Sequence, residues 1–128
     1  MHIPDDRLIY LVDDELLMLD LAEVALSADG YALKKFQNPQ TAFDSFSQEP
    51  RKPLLLLTDY VMDSMNGLEL SVKCKLAHPA LKILLISGTA TPEVVQEASG
   101  TVDKFMPKPY QPAELARTVR LLLAADAV

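Results

Sequence analysis

Pro53-Leu54-Leu55-Leu56-Leu57-Thr58-Asp59 is an apolar run that ends in a carboxylate, and its reading decides the fold. A run without polar alternation reads as a strand covered on both faces, as in a parallel sheet flanked by helices. Leu8-Ile9-Tyr10-Leu11-Val12 repeats the pattern and ends in Asp13-Asp14. Neighbouring parallel strands with acidic ends bring those carboxylates together at one sheet edge, where ligands bind in open α/β sheets. Further on, Ile83-Leu84-Leu85-Ile86 ends in Ser87, and Phe105-Met106-Pro107 ends in Lys108-Pro109. A hydroxyl and an ammonium thus join three carboxylates, a set suited to handling a phosphoryl group with a divalent metal.

Apolar runs and amphipathic segments alternate five times along the chain. After the first strand, a helix is expected over Glu15 to Ala28, with Leu17, Leu21, Val24 and Ala28 as its apolar stripe and Gly30 as its stop. A weaker strand spans Ala32 to Phe36. Asn38-Pro39 pairs a cap with a proline at the first helical position and opens a helix that buries Phe43 and Phe46. The loop Tyr60 to Asn66 leads to a helix over Gly67 to Ala77, and Leu81 to Ile86 is the fourth strand. Thr91-Pro92 repeats the cap signature for a short helix ending near Ser99, before a fifth strand over Lys104 to Met106. Gln111-Pro112 opens the last helix, with a stripe of Leu115, Val119, Leu122 and Leu123. The fold class is α/β, a single doubly wound (βα)5 domain over residues 1–128 with helices on both faces.

A chain of 128 residues fits one ordinary core. Its formal charge of −6, with no basic stripe, argues against direct binding to nucleic acid or to an anionic membrane. One cysteine, Cys74, allows no internal disulfide and suits a reducing compartment. Met1-His2-Ile3-Pro4-Asp5-Asp6 lacks the regions of a signal peptide, and no apolar run approaches a membrane span, so a cytoplasmic location is expected.

The pieces Leu-Val-Asp13-Asp14-Glu15, Leu-Leu-Thr58-Asp59-Tyr-Val-Met, Asn66-Gly67-Leu-Glu-Leu, Leu-Ile86-Ser87-Gly88 and Pro107-Lys108-Pro109-Tyr110 stand in the order of a two-component receiver domain, which the chain resembles from roughly residue 7 to residue 123. Each piece alone is common; together, each at the end of an expected element, they are specific. The resemblance implies a five-stranded parallel sheet of order 2-1-3-4-5. It also implies a phosphoryl-accepting switch that catalyses only its own phosphorylation and dephosphorylation. Asp59 would be the nucleophile, and the donor a phosphohistidine on a sensor histidine kinase or a histidine phosphotransfer protein. Mg2+ would be ligated by Asp14 and Asp59 directly, by Asp13 through water and by the backbone carbonyl of Val61. Lys108 would neutralise a phosphoryl oxygen, Ser87 would donate to another, and Lys108-Pro109 would be a cis peptide. Phe105 is either core or the family's switch aromatic.

The residue types suit that role. Two carboxylates ~4 Å apart repel by ~4 kcal/mol at an effective dielectric near 20, so a hard divalent ion with oxygen ligands resolves the crowding. Taken alone, Asp13-Asp14 would be a helix cap, Lys108 a solvated lysine and Ser87-Gly88 a turn. The rival readings are a pseudo-receiver that serves only as an interaction module, and an aspartyl-nucleophile phosphatase. The second needs an acid two residues after the nucleophile, where Val61 stands. No glycine-rich fingerprint follows the first strand, which disfavours nucleotide binding. The sequence departs from the family pattern at Asp63, where proline is frequent, at the early Gly100, and in its short fourth helix.

Overall fold

The computed structural model describes residues 7–89 and 91–124. The readings made on Met1 to Asp6, His2 included, lie outside the described residues. The chain runs β1 (Leu8–Val12), α1 (Leu16–Ser27), β2 (Ala32–Phe36), α2 (Pro39–Gln48), β3 (Leu55–Asp59), α3 (Gly67–Ala77), β4 (Lys82–Ser87), α4 (Pro92–Ala98), β5 (Lys104–Pro107) and α5 (Pro112–Ala124). All strand pairs are parallel, and the sheet order is β2-β1-β3-β4-β5. β1 and β3 are buried at every position, which explains their lack of alternation. Tyr10, Leu56, Ile83 and Leu85 pack under α2 and α3, while Ile9, Leu11, Leu57 and Leu84 pack under α1 and α5.

Local chemistry sets the helix starts. The Asn38 side chain accepts from the Gln40 and Thr41 amides, with Pro39 at the first helical position. Asn66 and Glu69 form a reciprocal capping box on α3, and Thr91 accepts from the Val94 amide on α4. Gly30 follows α1 at φ +79°, a left-handed conformation that favours glycine. The early Gly100 leaves β5 in place: Asp103 accepts the Ile83 amide at 2.8 Å and pairs with Lys75 of α3 at 2.8 Å.

One expected face is reversed. Leu17, Leu21 and Val24 of α1 are 68%, 44% and 71% exposed, and Ala28 is exposed too; the buried residues are Leu19, Ala22 and Leu26. Helix α1 is apolar nearly all round, so two stripes share the helical period and spacing alone does not choose between them. Packing against β1 and α5 makes the choice. In α5 the expected stripe does face inward, with Leu115 and Val119 buried and Leu122 and Leu123 partly so. Phe46 is buried and Phe43 partly buried, as expected of α2.

Among the described residues the buried Tyr31 hydroxyl has no hydrogen-bond partner, and the Arg7 guanidinium lies 4.4 Å from the ring centroid. An unpaired buried hydroxyl costs about 1–3 kcal/mol, whereas the cation–π contact needs only the ring. Tyr31→Phe is therefore expected to stabilise the chain by about 1 kcal/mol in chemical denaturation. A loss of stability would show that the hydroxyl has a partner in solution.

Candidate functional site: an acidic pocket at the sheet edge

Because β1 and β3 are adjacent, with Val12 opposite Thr58, their acidic ends meet. Asp13, Asp14 and Asp59 each offer an oxygen, all within 4.8 Å of one another; Asp13 and Asp59 are buried and Asp14 is partly exposed. From the end of β5, Lys108 reaches in, its Nζ 3.2 Å from Asp59 Oδ1 and 3.6 Å from Asp13 Oδ2. The Lys108–Pro109 peptide is cis, and the Lys108 amide donates to the Ser87 carbonyl at 3.0 Å. β4 and β5 are thereby tied together at the pocket. Asp13 also accepts the Glu15 amide at 2.9 Å, an Asx turn just before α1; the N-cap itself is Glu15 and has no side-chain cap bond, so the acidic pair does not cap the helix.

Burial dominates the electrostatics. Desolvation pushes Asp13 up to about 6, against the lowering effects of the Glu15 amide and Lys108. Desolvation also raises Asp59, with Lys108 opposing it. Burial disfavours the charge on Lys108, but Asp13 and Asp59 outweigh this and its pKa ends above the usual lysine value. One ammonium among three carboxylates leaves the pocket with surplus negative charge. Hard oxygen donors, crowded and under-neutralised, are the donor set that a divalent cation such as Mg2+ takes.

Ser87, the last residue of β4, is buried; its Oγ accepts the Thr89 amide at 3.0 Å and lies 3.5 Å from Thr89 Oγ1. Phe105 is half-buried and sits opposite Leu85, packed against the cluster under α2 and α3. Val61 lies in the loop after Asp59 and is 59% exposed. Cys74 is buried in α3, and burial pushes its thiol up to about 12, so it takes the packing role. His78 ends α3 with its ring 6.4 Å from that of Phe46, a packing position.

Three contributors carry roles that the sequence did not assign, although Gly67 and Tyr110 stand within its motif pieces. Gly67 brings the start of α3 against Asp59: an added Cβ would lie 2.1 Å from the Asp59 carbonyl oxygen. Thr89 holds the Ser87 hydroxyl, and the only trace of this is a hydroxyl pair two residues apart. Tyr110 is half-buried, with its phenol raised by burial and by Asp13.

The response regulator receiver domain family model matches residues 9–120, and the chain belongs to that family. It is 32% identical over 118 residues to the response regulator receiver protein CpdR of Brucella abortus, covering 91% of this chain and 97% of that protein. Similarity to the phosphate regulon transcriptional regulatory protein PhoB of Pseudomonas aeruginosa is 30%, covering 91% of this chain and 52% of that one, so the chain spans about half of that relative. Among solved structures, the response regulator protein TrrA from Thermotoga maritima, in complex with Mg(2+)-BeF, superposes with TM-score 0.79 at 25% identity, over 91% of this chain and 98% of that one. A CheY-like receiver from Methanospirillum hungatei shares the fold with TM-score 0.84 at 24% identity, over 93% and 94% of the two chains. The chain is a receiver domain of two-component signalling. Among the described residues, no helix is long and apolar enough to cross a membrane.

Proposed function

We propose that residues 1–128 form one cytoplasmic receiver that switches when Asp59 accepts a phosphoryl group from a histidine kinase or phosphotransfer partner. The observation that carries this is the meeting of Asp13, Asp14 and Asp59 within 4.8 Å, with Lys108 3.2 Å from Asp59. An Asp59 carboxylate oxygen attacks phosphorus, the bond from phosphorus to the donor's imidazole nitrogen breaks, and that nitrogen leaves with the electron pair. Asp59 is already anionic when it attacks, so no histidine base is required. Asp14, Asp59 and the Val61 carbonyl would hold Mg2+, with Asp13 bound through water. When bound, the ion neutralises charge on the phosphoryl and carboxylate oxygens. Lys108, with its Nζ 3.2 Å from Asp59 Oδ1, adds a positive charge beside the same carboxylate.

Ser87 is suited to report the event. Its Oγ accepts from the Thr89 amide, which leaves its own proton for a phosphoryl oxygen once the 3.5 Å contact with Thr89 Oγ1 is released. Movement of that loop would change the space beside Phe105. The exposed Leu17, Leu21 and Val24 flank of α1 begins just past Asp14 and offers apolar surface to the phosphodonor. Intact-mass analysis with acetyl phosphate tests the reading. One phosphoryl adduct is expected with Mg2+ and none when the ion is chelated. Absence of an adduct in Mg2+ would instead favour the interaction module.

A further inference from the structure

The loop after Asp59, α3 and α4 enclose a groove of about 460 Å3, lined by Tyr60, Leu68, Val72, Lys73 and Glu97 among others. The pitch of α3 makes it apolar. Gly67, Leu70, Ser71 and Cys74 turn inward and are buried, which places Leu68, Val72 and Leu76 in a row along the neighbouring face. Exposure climbs along that row, 9% at Leu68, 38% at Val72 and 79% at Leu76, so it leads from the core to solvent.

The margins are acidic. Glu97 is shared with an adjoining recess that also contains Glu93, and Glu69 lines the α3 side. Lys73, a cation in the wall, lies over the Phe43 ring at 5.3 Å. The α4 wall is lightly seated, with Ala98 its buried residue, so it adapts to an occupant at small cost.

We infer that this groove docks a basic amphipathic helix of a partner protein. Apolar anchors at helical spacing seat along Leu68 and Val72 in the groove and continue onto Leu76 just beyond its lining, while lysine or arginine flanks meet Glu69, Glu93 and Glu97. Charge selects this occupant. A second copy of the chain carries a net charge of −6 and would face these acids with like sign, as would an acidic peptide. The groove also reaches the phosphorylation loop. The Tyr60 amide donates to Ile86 at 2.9 Å and its carbonyl accepts the Gly67 amide at 2.8 Å, so an occupant bears on the backbone that carries Asp59. Any resulting coupling is reciprocal between the two sites.

The test titrates the full unphosphorylated chain with a synthetic helical peptide carrying leucines at i, i+4 and i+7 and lysines on both flanks. Amide shifts are expected at Tyr60 and in α3 and α4, with α1 and α5 unmoved. Val72→Asp and Glu97→Lys should each weaken binding about tenfold, and a peptide with glutamates in place of the lysines should not bind. Leu76→Ser serves as the apolar test if Val72→Asp melts early, since Leu76 is the most exposed of the row. Shifts centred on α1 or α5, or unchanged affinity in the charge and apolar variants, would overturn the inference. Since no phosphoryl group is present, the result stands apart from whether Asp59 is phosphorylated.

Discussion

Gly67→Ala is expected to cost about 3 kcal/mol of folding stability. The added Cβ would lie 2.1 Å from the Asp59 carbonyl oxygen and 2.8 Å from Leu85 Cδ1. The first of these is backbone at the end of a central strand, so it has little freedom to yield. Helix α3 must move instead, straining the 2.8 Å bond from the Gly67 amide to the Tyr60 carbonyl and the adjoining capping box. Alanine's better helix propensity returns at most about 1 kcal/mol. Because the clash falls on Asp59 itself, phosphorylation should slow as well. Denaturant titration checks the first effect, and a loss below about 1 kcal/mol would show that α3 shifts freely.

A second large effect concerns pH and Mg2+. With its pKa raised to about 6, Asp13 is harder to ionise folded than unfolded, where a carboxyl titrates near ~3.9. Its contribution to stability is fully present below about pH 4 and is lost as pH rises through about 6. Asp59 is shifted in the same direction. After allowance for screening, the metal-free chain should lose about 1–2 kcal/mol relative to Asp13→Asn between pH 4 and pH 7. Mg2+ at 100 times its dissociation constant should then stabilise the wild type by about 2.7 kcal/mol at pH 7. The gain should fade toward pH 4, because the ligands must be ionised. Asp14→Ala should respond far less, and an equal Mg2+ response in both proteins would remove Asp14 from the ligand set.

The pocket was legible in the sequence because its residues sit where patterns end. An apolar strand followed by Asp13-Asp14, another by Asp59 and a third by Ser87 announce a shared edge, and the parallel order brings the first two together. Helix starts were legible for a similar reason, since Asn38-Pro39 and Thr91-Pro92 carry their caps locally. The face of α1 was not. Its apolar residues surround the axis, and only tertiary packing distinguishes Leu19 and Leu26 from Leu17 and Val24. Gly67 read as part of a motif, while the crowding that requires glycine there depends on how closely the start of α3 folds back onto the end of β3 and onto Leu85 of β4. The hold of Thr89 on Ser87 depends on the conformation of the turn, which composition does not encode.

The most direct test of the account locates the phosphoryl group. After incubation with acetyl phosphate and Mg2+, borohydride reduction should convert the aspartyl phosphate to homoserine at residue 59, found by peptide mass analysis. Asp59→Asn should carry no adduct, while Thr58, Ser87 and Thr89 remain unmodified in both proteins. Homoserine at position 59 and its absence in the variant are what the pocket geometry predicts. Undiminished labelling of Asp59→Asn, or reduction at Asp13 or Asp14, would contradict it.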